Sequence, residues 1–452
     1  MGFIIRGGVV TRSGSLRPSP GFPAFLRTRP SRSRILRKAW AQPPFPPRLR
    51  TVPSTPGDQN SRMVWMPLLL LALVSLVGTA PAADGHAPEE GEPQGPWPIF
   101  RGDSALTGRA AGSLALPLEV AWSFQAQGAI TSSPTVSEGR LYFGSDDGKL
   151  YCLDAGSGAE VWAFQTQDII EAPPLVLDGR VFVGSSDFFF YALNAETGEL
   201  VWKVETDDKI LGGANFTRMQ DGARVLVGSY DTYLYCFDPA TGETLWKYGT
   251  ENYVNGTPAI LDGRVIFGGC DAVLHVVSAT TGRAVKTLEL GSECHVAGSA
   301  ALADGRAYFG HYGNQFVCVD LEKEKVVWSY DSPRHPFFSS PAIGTDRIVF
   351  GGRDKRLHCA RLADGKPLWS FPTRRKIDSS PVICGDSVVF GSGDGRLYVV
   401  GLEDGKERWQ YDIGKAILSS PAVVDGWVFV GANDKKLYAF AKKPRRPEKN
   451  GQ

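Results

Sequence analysis

Between Trp97 and Phe440 the apolar residues fall into short runs, such as VIC, VVF and LYVV, each bounded by Gly, Asp or Ser. Runs of that length, rich in Val, Phe and Tyr and closed by turn residues, predict β-strands rather than helices. The stretch from Ser379 to Trp409, SSPVICGDSVVFGSGDGRLYVVGLEDGKERW, holds four of them, and its order recurs along the chain. Anchored on the glycine that ends the second run, the copies fall at Gly144, Gly184, Gly228, Gly268, Gly310, Gly351, Gly391 and Gly431, 40 to 44 residues apart. Each begins with Ser-Ser-Pro or a variant, as at Ser132-Ser133-Pro134, Ser339-Ser340-Pro341 and Ser419-Ser420-Pro421. Asp stands three residues after the anchor in every copy but the fifth, which has Gly313. A third run then leads into a T-G or D-G turn, and Trp follows that glycine by four residues at Trp162, Trp202, Trp246, Trp369 and Trp409.

Four short strands cannot bury both faces of their sheet alone, so a fixed period near 40 implies units that share a continuous core. The closed solution for such sheets is a propeller. The eighth copy stops at Phe440 before any Trp strand, and the missing strand stands at the front as Glu119-Val120-Ala121-Trp122-Ser123-Phe124. The expected fold is therefore all-β: an eight-bladed β-propeller of four-stranded antiparallel blades, closed by an N-terminal strand that completes the last blade and removes an exposed edge. Trp122 and Trp328 extend the Trp series to seven outer strands, and Lys286 takes the place in the fourth blade. A residue repeated at one position is packing between blades, so the interface at Lys286 should be the softest. The third blade is irregular, with GGANFTRMQDGARV in place of the shorter Ser-Ser-Pro segment.

The elements LDAGSGAEVW, LNAETGELVW and FDPATGETLW resemble the tryptophan-docking repeat of the quinoprotein (PQQ) dehydrogenases and related propellers. The same repeat builds the propeller subunit of the outer-membrane β-barrel assembly machinery. The opening Trp97-Pro98-Ile99-Phe100-Arg101-Gly102 is similar to the lead-in of many such chains. The resemblance spans Trp97 to Phe440 and implies fold more firmly than function. A WD-type propeller fits less well, because the G-H and W-D signatures are absent from the repeats.

The ends differ from the ring. Residues 1–62 carry eleven Arg, one Lys and a single acid, Asp58, among many Pro and Ser, and can form no core. They read as an over-extended start with Met63 as the natural one, or as a transit peptide whose prolines oppose the amphipathic helix that role needs. Residues 63–82 pair an apolar run too short for a membrane span with Ala80-Pro81-Ala82, a small-residue cleavage pattern, and read as a signal peptide. No Cys follows that run, so nothing there can be lipidated, unlike the assembly-machinery subunit. Residues 83–96 are a flexible linker, 97–440 the propeller and 441–452 a basic tail. The net charge of +1 conceals an acidic ring, because the leading 62 residues contribute +11 and the remainder about −10. That argues against nucleic acid as a partner.

Cys152, Cys236, Cys318 and Cys359 each lie eight residues after their anchor glycine and read as small apolar fillers of one slot. Cys270, Cys294 and Cys384 have no such partner, and no C-x-x-C suggests zinc or haem. Asn215 and Asn255 open N-x-T sequences, which are glycan acceptors only in a eukaryotic secretory protein. Chemistry, if any, must depart from the repeat. The loops between outer and next inner strand, and between second and third strands, emerge on one face. There blades one to three present Asp168, Glu171, Asp207 and Asp208, whereas blades five to seven present Arg334, His335, Arg353, Lys355, Arg356, Arg374, Arg375 and Lys376. Opposed potentials of this kind would steer an acidic protein segment or a glycan to the basic half. His295, beside Glu293 and Cys294, is the one mixed group of ligand types; a lone His there more often caps backbone than binds metal.

Three functions are compatible. The first is a monomeric, non-catalytic scaffold, exported to the periplasm or elsewhere in the bacterial cell envelope, that binds an envelope protein without cofactor or metal. The second is a carbohydrate-binding module using the channel mouth. The third, a PQQ-dependent alcohol dehydrogenase, would need calcium and carboxylates around the quinone. This chain has no adjacent Cys-Cys pair of the kind that resemblance implies over the cofactor, and its loops are short.

Overall fold

A computed structural model describes residues 95–291 and 294–442. The stretches 1–62 and 63–82, nearly all of 83–96 and the tail beyond Lys442 lie outside the described residues. Regular structure among the described residues is entirely β. Eight sheets follow one another, and blade one shows the plan: Thr135–Ser137, Arg140–Gly144, Lys149–Asp154 and Glu160–Gln165, antiparallel and in sequence order from the channel outward. Blade eight takes Ala422–Val424, Trp427–Gly431 and Lys436–Ala441 from the end of the chain and Glu119–Gln125 from its front. That strand pairs from Glu119 opposite Ala441 to Gln125 opposite Lys436, so the ring closes as expected.

Burial explains the composition of each strand. The second strand of blade one, Arg140–Gly144, is buried from Leu141 onward, and Leu150 to Leu153 of the third are buried without alternation. Both faces of these strands meet a neighbouring blade, so they read as continuous apolar runs. The outer strand instead alternates, with Trp162 buried between exposed neighbours. One residue before each outer-strand Trp the register slips, as between Cys152 and Leu153 in blade one, and this bulge turns the indole toward the next blade.

There the indole meets a glycine. A Cβ on Gly198 would fall 2.6 Å from Trp162 Cδ2, and the same closeness recurs for Trp122 on Gly158, Trp202 on Gly242, Trp246 on Gly282, Trp328 on Gly365 and Trp369 on Gly405. The ring N–H then donates to a backbone carbonyl of that blade: Trp122 to Ala155, Trp162 to Ala195, Trp202 to Pro239, Trp246 to Ala279, Trp328 to Leu362 and Trp369 to Leu402, at 2.9 to 3.1 Å. Trp409 faces the joint between the two chain ends and packs against Phe440. The anchor glycines have an equally local cause: a Cβ on Gly144 would sit 2.2 Å from Ile170 Cγ2, the side chain of the loop into the next blade.

The repeated Asp three residues after the anchor holds the turn together. Asp147 accepts from the Lys149 N–H and from the Tyr151 hydroxyl, and Asp187, Asp231, Asp394 and Asp434 accept likewise from Tyr191, Tyr235, Tyr398 and Tyr438. Blades four and six use His275 on Asp271 and His358 on Asp354 instead. The irregular third blade lengthens its first hairpin to Asn215–Met219 and Gly222–Gly228. Among the described residues no cysteine forms a disulfide, and the four in the repeated slot are fully buried.

The lead-in is part of the ring. Residues 97–110 run around the channel at the end opposite the second-to-third-strand loops, bonding the inner strand of one blade after another. Trp97 exchanges bonds with Val136, Pro98 accepts from Val176, Ser104 from Ile260, Ala105 from Leu302, Thr107 from Ile343 and Gly108 from Ile383. Arg109–Ala110 then pairs parallel with Ile383 and Cys384 of blade seven. Arg101, 1% exposed, latches this strap. Its Nη1 donates to the Ser380 carbonyl at 3.2 Å and its Nη2 to the carbonyls of Pro341, at 2.9 Å, and Pro381. Burial pulls the guanidinium down to about 9, so it remains a cation at neutral pH.

Candidate functional site: the channel mouth

The strap runs along the inner strands at one end of the channel. Within the channel lies a well of about 260 Å³ whose strap side is lined by Phe100. Its wall is the second residue of each Ser-Ser-Pro segment. The Oγ of Ser420 accepts from the Ser380 N–H, that of Ser380 from Ser340, that of Ser340 from Ser299, and that of Ser299 from Thr257, at 2.8 to 3.0 Å. Ser133 closes onto Ser420, and Thr257 takes the N–H of Gly213. Pro173 and Gly213, in blades two and three, carry no such oxygen. The Ser-Ser-Pro signature is therefore a hydrogen-bonded belt that ties neighbouring blades at the channel wall.

Above the belt every blade presents the same two kinds of position. The residue two after the anchor glycine donates its N–H to the loop from the preceding outer strand: Asp146 to Ala129, Tyr230 to Lys209, Cys270 to Tyr253, Tyr312 to His295, Arg353 to Pro336 and Gly393 to Lys376. The backbone at this rim is constant while the side chains vary, which is the signature of a site grafted on a repeat. From blade three to blade six the rim is aromatic. Tyr230 and Tyr253 stack at 4.6 Å, and Tyr312 meets Phe338 at 4.4 Å. Lys209 lies 4.8 Å from the Tyr230 ring and Arg353 lies 3.7 Å from that of Phe338. The Tyr230 hydroxyl donates to Asn255 at 3.0 Å, and burial pushes its pKa up to about 12. Across the mouth stand Asp146 and Glu171, both raised chiefly by burial; the Asp147 charge adds to the first, and Asp146 and Asp168 add to the second.

The residues singled out from sequence separate into groups. Arg353 and Lys376 are both held by Asp378, at 2.9 and 2.6 Å, and Arg356 bonds Ser370. Arg334, His335, Lys355, Arg374 and Arg375 are exposed, and none of them forms an ion pair among the described residues. Of the four acids, Asp168 and Asp208 accept from the next backbone N–H as local caps, and Asp207 is exposed. Glu171 alone joins the rim. His295 caps the Cys270 carbonyl, its neighbour Glu293 lies outside the described residues, and no group of three metal-ligating side chains occurs among those described. Asn215 is fully buried, with its amide on Ser104 and Pro258, and so is closed to glycan attachment in the folded chain. Of the rim positions two residues after each anchor, the sequence reading singled out only Arg353 for the site; the others were missed, although their signal was there, since they vary from blade to blade beside a repeated glycine and Asp.

The site does not suit PQQ with calcium. Two rim carboxylates without a third ligand make no cation cage among the described residues, and the strap side of the well is lined by the single ring of Phe100.

Comparison with known families matches residues 119–220, 191–294, 271–416 and 353–446 to the family described as outer membrane protein assembly factor BamB. No curated protein sequence matches. Among solved structures, BamB from Moraxella catarrhalis superposes with a TM-score of 0.63 at 18% identity, over 72% of this chain and 100% of its own. The computationally designed Ika8 protein gives 0.63 at 19%, over 74% and 100%. Quinohemoprotein alcohol dehydrogenase from Comamonas testosteroni gives 0.66 at 15%, over 79% and 82%. An assembly factor, a designed protein and an oxidoreductase share this fold, so the fold alone selects no activity.

Proposed function

This chain belongs to the BamB family of propellers, and from that premise we propose that it is an exported, non-catalytic scaffold of the bacterial cell envelope. It docks an acidic segment of an envelope protein on the open face of blades five to seven. The observation that carries this reading is the arc of Arg334, Lys355, Arg374 and Arg375 on three successive blades, exposed and without ion pairs among the described residues. Cations already paired would have to break a bond to bind; these are free to steer an encounter. Arg353 and Lys376, tied to Asp378, shape the inner edge of the arc. Two further features favour a scaffold over an enzyme: the short loops bury little beyond the well, and among the described residues the rim gathers no ligand set for a quinone-bound cation.

The test is capture from envelope extracts by the wild-type chain and by a variant carrying Arg334→Glu, Lys355→Glu, Arg374→Glu and Arg375→Glu. Wild type is expected to enrich outer-membrane assembly components in a salt-sensitive manner, and the variant to lose them at unchanged melting temperature. Equal capture by both would overturn the docking arc.

A further inference from the structure

The well beneath the rim is a polar site distinct from the basic arc, and we infer that it receives the terminal residue of a neutral glycan. Three observations converge on this. The belt oxygens of Ser133, Ser299, Ser340, Ser380 and Ser420 each accept one backbone N–H, and their own O–H groups find no acceptor among the described residues. Five hydroxyls around a single well offer a polyol both donors and acceptors without demanding a charge. The Phe100 ring lines the strap side, and the space, about 260 Å³, admits one ring-sized unit. Next to the lining, Tyr312, 48% exposed, meets Phe338 of the well, and Tyr253, 44% exposed, stacks on Tyr230, whose hydroxyl bonds Asn255 of the well; both offer apolar faces beside polar edges, the surface on which sugar rings stack.

The same geometry argues against a peptide in this well. An extended peptide binds by pairing with free backbone groups along an edge. Here the N–H groups of Gly213, Thr257, Ser299, Ser340, Ser380 and Ser420 are all consumed by the belt. A charged sugar is also disfavoured, since Arg353 and Lys376 are held by Asp378. The favoured ligand is thus an oligosaccharide end, with one residue in the well and the next along Tyr253 or Tyr312.

Saturation-transfer NMR and calorimetry on the purified full chain would test this with glucose, N-acetylglucosamine, maltotriose, cellotriose and chitotriose. At least one trisaccharide is expected to bind saturably and about 10-fold more tightly than its monosaccharide, a difference of one stacked residue. Tyr253→Ala or Tyr312→Ala should remove most of that gain and leave monosaccharide binding within about two-fold. Ala297→Phe, which fills the well from its wall, should abolish both; if it fails to fold, Leu418→Trp on another blade serves the same purpose. Absence of saturable binding by every probe would overturn the inference, as would binding that survives a folded Ala297→Phe or Leu418→Trp protein. The arc variant above leaves these residues untouched, so failure of the docking reading and failure of this one are separately visible.

Discussion

Trp162 and Trp409 occupy one position of the repeat but meet different neighbours. The Trp162 N–H donates to Ala195 at 3.1 Å, whereas Trp409, at the joint of the two chain ends, packs edge-on against Phe440 at 5.6 Å. Trp162→Phe loses the indole bond to the Ala195 carbonyl, which keeps only the Tyr142 hydroxyl at 3.2 Å, in addition to losing ring volume, so it should cost about 1 kcal/mol more than Trp409→Phe, read as the difference in urea midpoints. His311 is 2% exposed, and burial holds its imidazole down to about 4. Its unfolded form titrates at about 6.5 and binds a proton that the folded form refuses, so stability is lost as pH falls from about 6.5 to about 4. The loss is at most about 3 kcal/mol. His311→Gln should flatten the urea midpoint across that window, and an unchanged slope would show that other groups dominate. Residues of this kind were legible in the sequence as position but not as role. The repeated Asp stood out by count; that Asp147 receives the Tyr151 hydroxyl needs the pleat, which brings residues four apart together across a turn.

Among the elements, the strap was the least legible. The sequence marks Trp97 to Gly102 only as a lead-in, because a segment with no alternation and no partner run gives no periodic signal. Its structure is imposed by the inner strands, whose free edges it covers. The latch is testable. Arg101→Leu removes the cation together with its bonds to Pro341, Ser380 and Pro381, leaving three dry carbonyls. A loss of about 3 kcal/mol is expected. Gly108→Ala reaches the same latch from the other side, because its Cβ would lie 1.8 Å from Arg101 Nη2 in a backbone of φ 64°. Both variants should expose residues 97–110 to limited proteolysis while the blades resist. Protection equal to wild type would mean that the backbone bonds alone hold the strap. The blades themselves were readable end to end, since period, turns and closing strand are each set by local chemistry that recurs eight times.

Around the ring, the seam between blades four and five keeps the serine belt but lacks the indole docking of its neighbours. Between blades four and five the Trp is Lys286, the glycine it would cover is Glu324 at φ 52°, and the Asp turn carries Gly313. Lys286 instead donates to the Glu322 carbonyl at 2.8 Å and pairs with Glu324 at 3.3 Å, an exposed ionic clasp in place of a buried indole. The core beneath is mostly aliphatic, with Leu274, Val276, Leu302, Val317 and Leu288. The absences belong together: without a ring to cover it, the turn tolerates a side chain. Lys286→Trp alone should clash with the Glu324 side chain, and Glu324→Gly alone should only loosen the clasp. Together they rebuild the docking seen at six other seams. The double variant should therefore exceed the sum of the singles by about 1 kcal/mol or more. Hydrogen exchange gives the second reading. In wild type, strands Ala284–Glu289 and Gln315–Asp320 should exchange first and faster at high salt, because the exposed clasp is screened. In the double variant that preference should disappear. Additive energies with unchanged exchange would mean that the ring's weakest joint lies elsewhere.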